Sequence, residues 1–121
     1  MASNKRKRKV RDQEFYTNIR GVTQPGRQKL LKKLKPGHSL VLIREPQNPA
    51  DSNAIMVCVA TGILRRKHCV GYLSADIAEQ FAEHLDGGGL MSATVSEVTG
   101  GGGWLWWKKH FGCNIRLTVT A

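Results

Sequence analysis

Two short apolar runs constrain this chain more than anything else in it. "SLVLI" (39–43) and "AIMVCVA" (54–60) are continuous stretches of branched and aliphatic residues, and the stretch between them, "REPQNPADSN" (44–53), is polar and holds two prolines. Such runs are too short for buried helices and too apolar to face water. They predict strands covered on both faces. The connection has its own chemistry. Asn48-Pro49 favours a turn, because proline drives the preceding residue out of the helical region. Asp51 and Asn53 can accept from main-chain amides two residues on and close Asx-turns. That is enough to build a sharp polar corner. The same residues also suit a ligand if Asn48 and Asp51 project outward, since a carboxylate accepts hydrogen bonds and an amide both donates and accepts. A phosphate there would need a cation beside it, and Arg44 is the candidate.

The rest of the chain continues the pattern of short elements. "EFYTNIRGV" (14–22) predicts a first strand and "PGRQKLLKKL" (25–34) a helix. Leu30, Leu31 and Leu34 fall at helical spacing, Pro25 suits the first turn, and "KPG" at 35–37 stops the helix. Its basic face carries Arg27, Lys29, Lys32 and Lys33. "RRK" (65–67) predicts a solvated turn before the strand "HCVGYL" (68–73). Ser74 caps a second helix with a buried stripe of Ile77, Ala78, Phe81, Ala82 and Leu85. The outer face of that helix is acidic, with Asp76, Glu79, Glu83 and Asp86, and Gly87 ends it. "LMSATVSEV" (90–98) alternates as a strand does, and "NIRLTVTA" closes the chain. About six strands and two helices result, which favours a mainly β fold closed, or nearly closed, into a small barrel without exposed edges.

A chain of 121 residues suits one domain. The boundaries expected are a disordered basic tail at 1–13 and a single domain at 14–121, with a Gly/Trp-rich hairpin or insertion at 99–113. No apolar run approaches the roughly 18 residues of a membrane span, and the charged start is not a secretory signal. Three widely spaced cysteines, Cys58, Cys69 and Cys113, fit reduced thiols in an intracellular protein of cytoplasm, nucleoid or nucleus. The formal charge is +10, and six of the 19 Lys and Arg lie within residues 5–11. Without the first eleven residues, 13 basic face 9 acidic side chains, a balance of +4. Much of the signal for a polyanionic partner therefore sits in the tail, which serves either as a solubilising arm or as a phosphate-seeking or nuclear-targeting one.

"LVLIREPQNPADSNAIMV", followed by "VGYL" and a helix, resembles the HIRAN domain. The likeness takes in "LKPGHSL" before the corner and spans about residues 14–98. It implies an OB-like β-barrel of about six strands that binds DNA, in fork-remodelling members by gripping the 3′ end of a single strand. It also implies roles for Asn48 and Asp51 at that end, the aspartate meeting the terminal hydroxyl. Tyr72 stands where such members often have histidine. Ala50 replaces an aromatic, Ala75 a lysine, and "VTQ" after Gly21 an Arg- and Tyr-rich stretch. Stacking contributes about 1–3 kcal/mol per base, so those losses weaken a single-strand site. The chain resembles the small stand-alone members of the family.

Arg44, Arg20, Lys29, Lys32 and Lys33 are the candidate phosphate contacts. In "GGGGWLWWKKHF" (100–111), Trp104, Trp106 and Trp107 either stack on bases or close the core beside a glycine-rich tip. His68, Cys69, His110 and Cys113 have metal-ligating side chains, but adjacent strand residues point to opposite faces and no C-x-x-C is present, so no metal or other cofactor is expected. No nucleophile or phosphate-cradling motif indicates an enzyme. The expected partner is DNA, single-stranded or at its ends, in repair- or replication-type processes, with a helicase or nuclease as a further protein partner and no membrane. The alternatives are a protein-interaction adaptor that has lost the DNA-end site and an accessory module of a nuclease or ATPase complex.

Overall fold

The computed structural model describes residues 10–100 and 110–121. Six strands and two helices follow in the order β1 (Gln13–Asn18), α1 (Arg27–Leu31), β2 (Ser39–Arg44), β3 (Ile55–Thr61), β4 (Arg66–Tyr72), α2 (Ala75–Asp86), β5 (Leu90–Gly100) and β6 (Phe111–Thr120). All strand pairs are antiparallel, and the order across the sheet is β1-β6-β5-β2-β3-β4. The short β2 divides itself between two neighbours. Ser39 and Leu40 pair with Thr94 and Ala93 of β5, whereas Val41 to Arg44 pair with β3. The sheet therefore bends at β2 into two three-stranded halves.

These ladders do not close into the expected barrel. Their two ends meet at one point only, where Arg20, just beyond β1, exchanges both main-chain hydrogen bonds with Tyr72 of β4 at 2.8 and 2.9 Å. The chain then turns away at Gly21, whose φ of 72° is open to glycine without strain, so no further pairs form. Gly71 makes the single crossing possible. A Cβ on it would collide with the Ile19 side chain and the Arg20 carbonyl.

The core lies inside the bend. Ile55, Val57 and Val70 from one half meet Ile115, Leu117, Val119, Ala93 and Val95 from the other. Of the run 39–43 only Leu40 is buried; Val41, Leu42 and Ile43 are half-buried, so β2 is covered less completely than its composition predicts. α2 forms as its stripe requires. The Ser74 hydroxyl accepts from the Ile77 amide, Ala78, Phe81 and Ala82 are buried, and Phe81 stacks on Phe15 of β1 at 5.9 Å. Gly87 is the C-cap and Gly88 takes the left-handed position after it.

Three boundaries differ from the sequence expectation for local reasons. α1 starts at Arg27 instead of Pro25, because Gly26 is left-handed with φ 87°. The β3–β4 turn occupies 62–65, not 65–67. Gly62 and Arg65 both adopt positive φ, which lets Arg66 and Lys67 pair at once with Thr61 and Ala60. β1 begins at Gln13 and Val10 already packs against the core, so ordered structure reaches into the segment assigned to the tail. Residues 101–109, with Trp104, Trp106 and Trp107, lie outside the described residues; on either side of them Gly100 pairs with Phe111.

Candidate functional site

The corner at 45–54 is a ladder of short turns. Glu45 donates its amide to the Ala54 carbonyl, Asn48 to that of Glu45, and Ala54 to that of Asp51, each at 3.0 Å. Within it Asn48 acts as the brace. Its Oδ1 accepts from the amides of Ala50 (2.8 Å) and Asp51 (3.2 Å), and its Nδ2 donates to Glu45 Oε1 at 2.9 Å. The expected outward projection of Asn48 is thus replaced by bonds within the corner, to main-chain amides and to the Glu45 side chain. Asp51 closes the predicted Asx-turn by accepting from the Asn53 amide at 2.9 Å through Oδ1. Its Oδ2 has no hydrogen-bond partner among the described residues, which leaves one fixed carboxylate oxygen for an incoming donor.

Glu45 joins this corner to β4. The oxygen that accepts from Asn48 also accepts from the Tyr72 hydroxyl at 2.7 Å. That hydrogen bond, with burial second, pushes the Tyr72 phenol up to about 12, so it remains a neutral donor. The Arg27 guanidinium lies over the Tyr72 ring at 5.5 Å and donates to the Gly21 carbonyl at 2.7 Å. Arg20, exposed beside them, donates its Nε to Asn18 Oδ1 at 3.0 Å. Glu45 thus ties the corner that carries Asp51 to Tyr72, and Tyr72 is joined in turn to Arg27 over its ring and to Arg20 through paired main chain. In the sequence, Arg27 is one of four cations on a helix face, with Lys29, Lys32 and Lys33. Nothing in a single sequence pairs position 27 with position 72.

The other expected phosphate contacts lie elsewhere. Arg44 grips Asp86 of α2 with two bonds, 2.8 and 3.1 Å, and donates to the Ala54 carbonyl at 2.9 Å. With its side chain only 13% exposed and its charge matched by Asp86, it fastens the corner to α2 and is a poor phosphate ligand. Lys29 and Lys32 are exposed, and Lys33 lines a separate cleft with His38 and Arg65. Cys69 stands opposite Cys58 across β3 and β4, and Cys113 is buried; burial pushes the thiols of Cys58 and Cys113 up to about 11, where they are inert at neutral pH. Among the described residues no three His, Cys, Asp or Glu side chains form a cluster that could hold a metal, and no helix is long and apolar enough to cross a membrane.

These elements build a small, mainly β domain whose proline-stiffened corner is tied to a tyrosine on a neighbouring strand. The chain belongs to the HIRAN domain family, whose model matches residues 12–119. HIRAN domains are generally DNA-binding modules without catalytic machinery of their own. Among solved structures the chain is similar to the HIRAN domain of human HLTF, with a TM-score of 0.57 and 19% identity over 88% of this chain and 74% of that one. It is also similar to a protein from Lactobacillus plantarum, with a TM-score of 0.59 and 20% identity over 91% of this chain and 99% of that one. At these identities the likeness speaks for the fold. No curated protein matches the sequence.

Proposed function

We propose that this domain binds DNA at a strand end, with Asp51 receiving the terminal 3′ hydroxyl and Arg20 and Arg27 meeting the phosphates behind it. The observation that carries this reading is the double use of Glu45 Oε1, which ties the Asn48–Asp51 corner to Tyr72, with Arg27 over the tyrosine ring and Arg20 paired to its main chain. A carboxylate oxygen held in place favours a hydroxyl donor and repels a phosphate, so it distinguishes one kind of strand end from another. Tyr72 is the candidate stacking ring beside the corner, and with alanine at position 50 the grip on terminal bases stays modest. The domain needs no chemistry of its own for this role. It would place an end for a separate helicase or nuclease.

A 3′-hydroxyl single strand should bind about tenfold tighter than the same strand ending in a 3′-phosphate, as expected for one charge-assisted hydrogen bond. Asp51→Ala should erase that difference while leaving most of the affinity. Equal binding of both strands by the unmodified protein would sink the strand-end reading. That result would favour a second one, a protein-interaction adaptor, for which the internal use of Arg44 and Asn48 already speaks.

A further inference from the structure

A cleft of about 430 Å³ opens at the far end of the β3–β4 ribbon from the corner, between α1 and the hairpin. Leu30, Leu34 and Val59 form its aliphatic floor, and Lys33, His38 and Arg65 stand around it. No acidic residue lines it, and neither Lys33 nor Arg65 has an ion-pair partner among the described residues. His38 accepts the Lys35 amide on Nδ1, so its Nε2 carries the proton and is the ring's available donor. Next to the cleft the hairpin tip holds out Ile63 and Leu64, 98% and 78% exposed, between the lining residues Thr61 and Arg65. Two adjacent aliphatic side chains in water at the mouth of an aliphatic, cation-rimmed groove mark an interaction surface.

We propose that this cleft and hairpin tip dock an acidic amphipathic helix of a partner protein. The partner's aliphatic residues, at helical i, i+3, i+4 spacing, would cover Leu30, Leu34 and Val59 and pack against Ile63 and Leu64. Its flanking carboxylates would meet Lys33, Arg65 and His38. Charge complementarity selects an acidic partner, since every titratable side chain on the cleft is basic. The floor selects protein over nucleic acid. Among the described residues it has no aromatic ring to stack on a base, whereas branched aliphatics reward burial of other aliphatics. Val59 of the cleft floor stands four residues along β3 from its start at Ile55, roughly 13 Å at ~3.3 Å per residue, and Asp51 lies beyond that start in the corner, so the domain can hold a strand end and a protein at once.

The test uses a fluorescein-labelled helical peptide of roughly 18 residues, long enough to form helix, with Leu at i, i+3, i+4 and i+7 and Glu elsewhere. A counterpart with Lys for Glu and a labelled single-stranded oligonucleotide complete the set. The acidic peptide should bind in the micromolar range and the lysine peptide at least about tenfold more weakly. Ile63→Ser with Leu64→Ser should weaken the acidic peptide about tenfold. Both positions are solvent-exposed, so the fold is kept. Lys33→Glu with Arg65→Glu should reverse the preference between peptides. Asp51→Ala should leave peptide binding unchanged, which keeps this proposal separate from the strand-end reading. No binding of the acidic peptide, equal binding of both peptides, or indifference to the hairpin substitutions would overturn it. So would a cleft whose charge reversal removes oligonucleotide binding while the peptide never binds.

Discussion

At the scale of single residues, Arg44 and Asp51 exchange the weights their sequence neighbourhood gives them. Both sit in one motif, and composition alone makes Arg44 the obvious partner for phosphate. In the fold, Arg44 is a bolt between the corner and α2. Replacing it with leucine should destabilise the domain by about 1–2 kcal/mol in urea unfolding. That is less than the ~3–5 kcal/mol typical of a broken buried pair, because Asp86 is half-exposed and can rehydrate. The salt dependence of oligonucleotide binding should keep its slope. A true phosphate contact on a single strand would lower that slope by about 0.7. Asp51 was legible, since Asx-turn chemistry follows from the residues themselves. Asn48 was half legible: its turn was expected, but not that both amides after Pro49 would claim its oxygen. Arg44 was not legible, because its acid lies 42 residues away on a face that sequence periodicity only marks as exposed.

Among the elements, those set by local signals came through the sequence and those set by a crossing of distant segments did not. The Ser74 cap, the α2 stripe and the alternation of β5 rest on period and capping, which a sequence states directly. The short α1 is instead held from afar. Gln28 bonds the Val22 carbonyl and both main-chain groups of Phe111, at 2.9, 3.0 and 2.6 Å, and so clamps the helix to the start of β6. The crossing at Gly71 is of the same kind. "VGYL" reads as an ordinary strand, yet its glycine is where the two ends of the sheet touch. Gly71→Ala should cost about 3 kcal/mol or more, since the added methyl meets main chain as well as the Ile19 side chain and neither yields cheaply. Native-state hydrogen exchange checks the mechanism. The amides of Arg20 and Tyr72 should lose protection first and most, whereas a general loosening would lower protection evenly across β3 and β4.

For the molecule as a whole, six strands and two helices form among the described residues as their sequence patterns suggest, but the sheet does not close into a barrel. Six short strands favour a barrel only if each edge finds a partner along its length. Here β2 divides itself between β3 and β5, and β1 ends before it can run along β4. Charge distribution is the other property of the whole. Cutting after residue 9 removes Lys5, Arg6, Lys7, Arg8 and Lys9 and spares Val10, which packs on the core, and Asp12, whose side chain accepts from the Ala121 amide at 2.7 Å. Stability should therefore change little, and any loss in binding reports on charge. Each single-strand phosphate neutralised adds about 0.7 to the slope of log affinity against log salt, so five cations contribute at most about 3.5. If the basic arm serves DNA binding, the truncated protein should bind more weakly at low salt, with a shallower slope, and approach the full chain as salt rises. The preference for a 3′ hydroxyl should survive the cut, because it depends on Asp51 and not on the arm. Identical slopes for the two proteins would assign the arm to solubility or targeting and leave the corner to bind DNA through Arg20 and Arg27 alone.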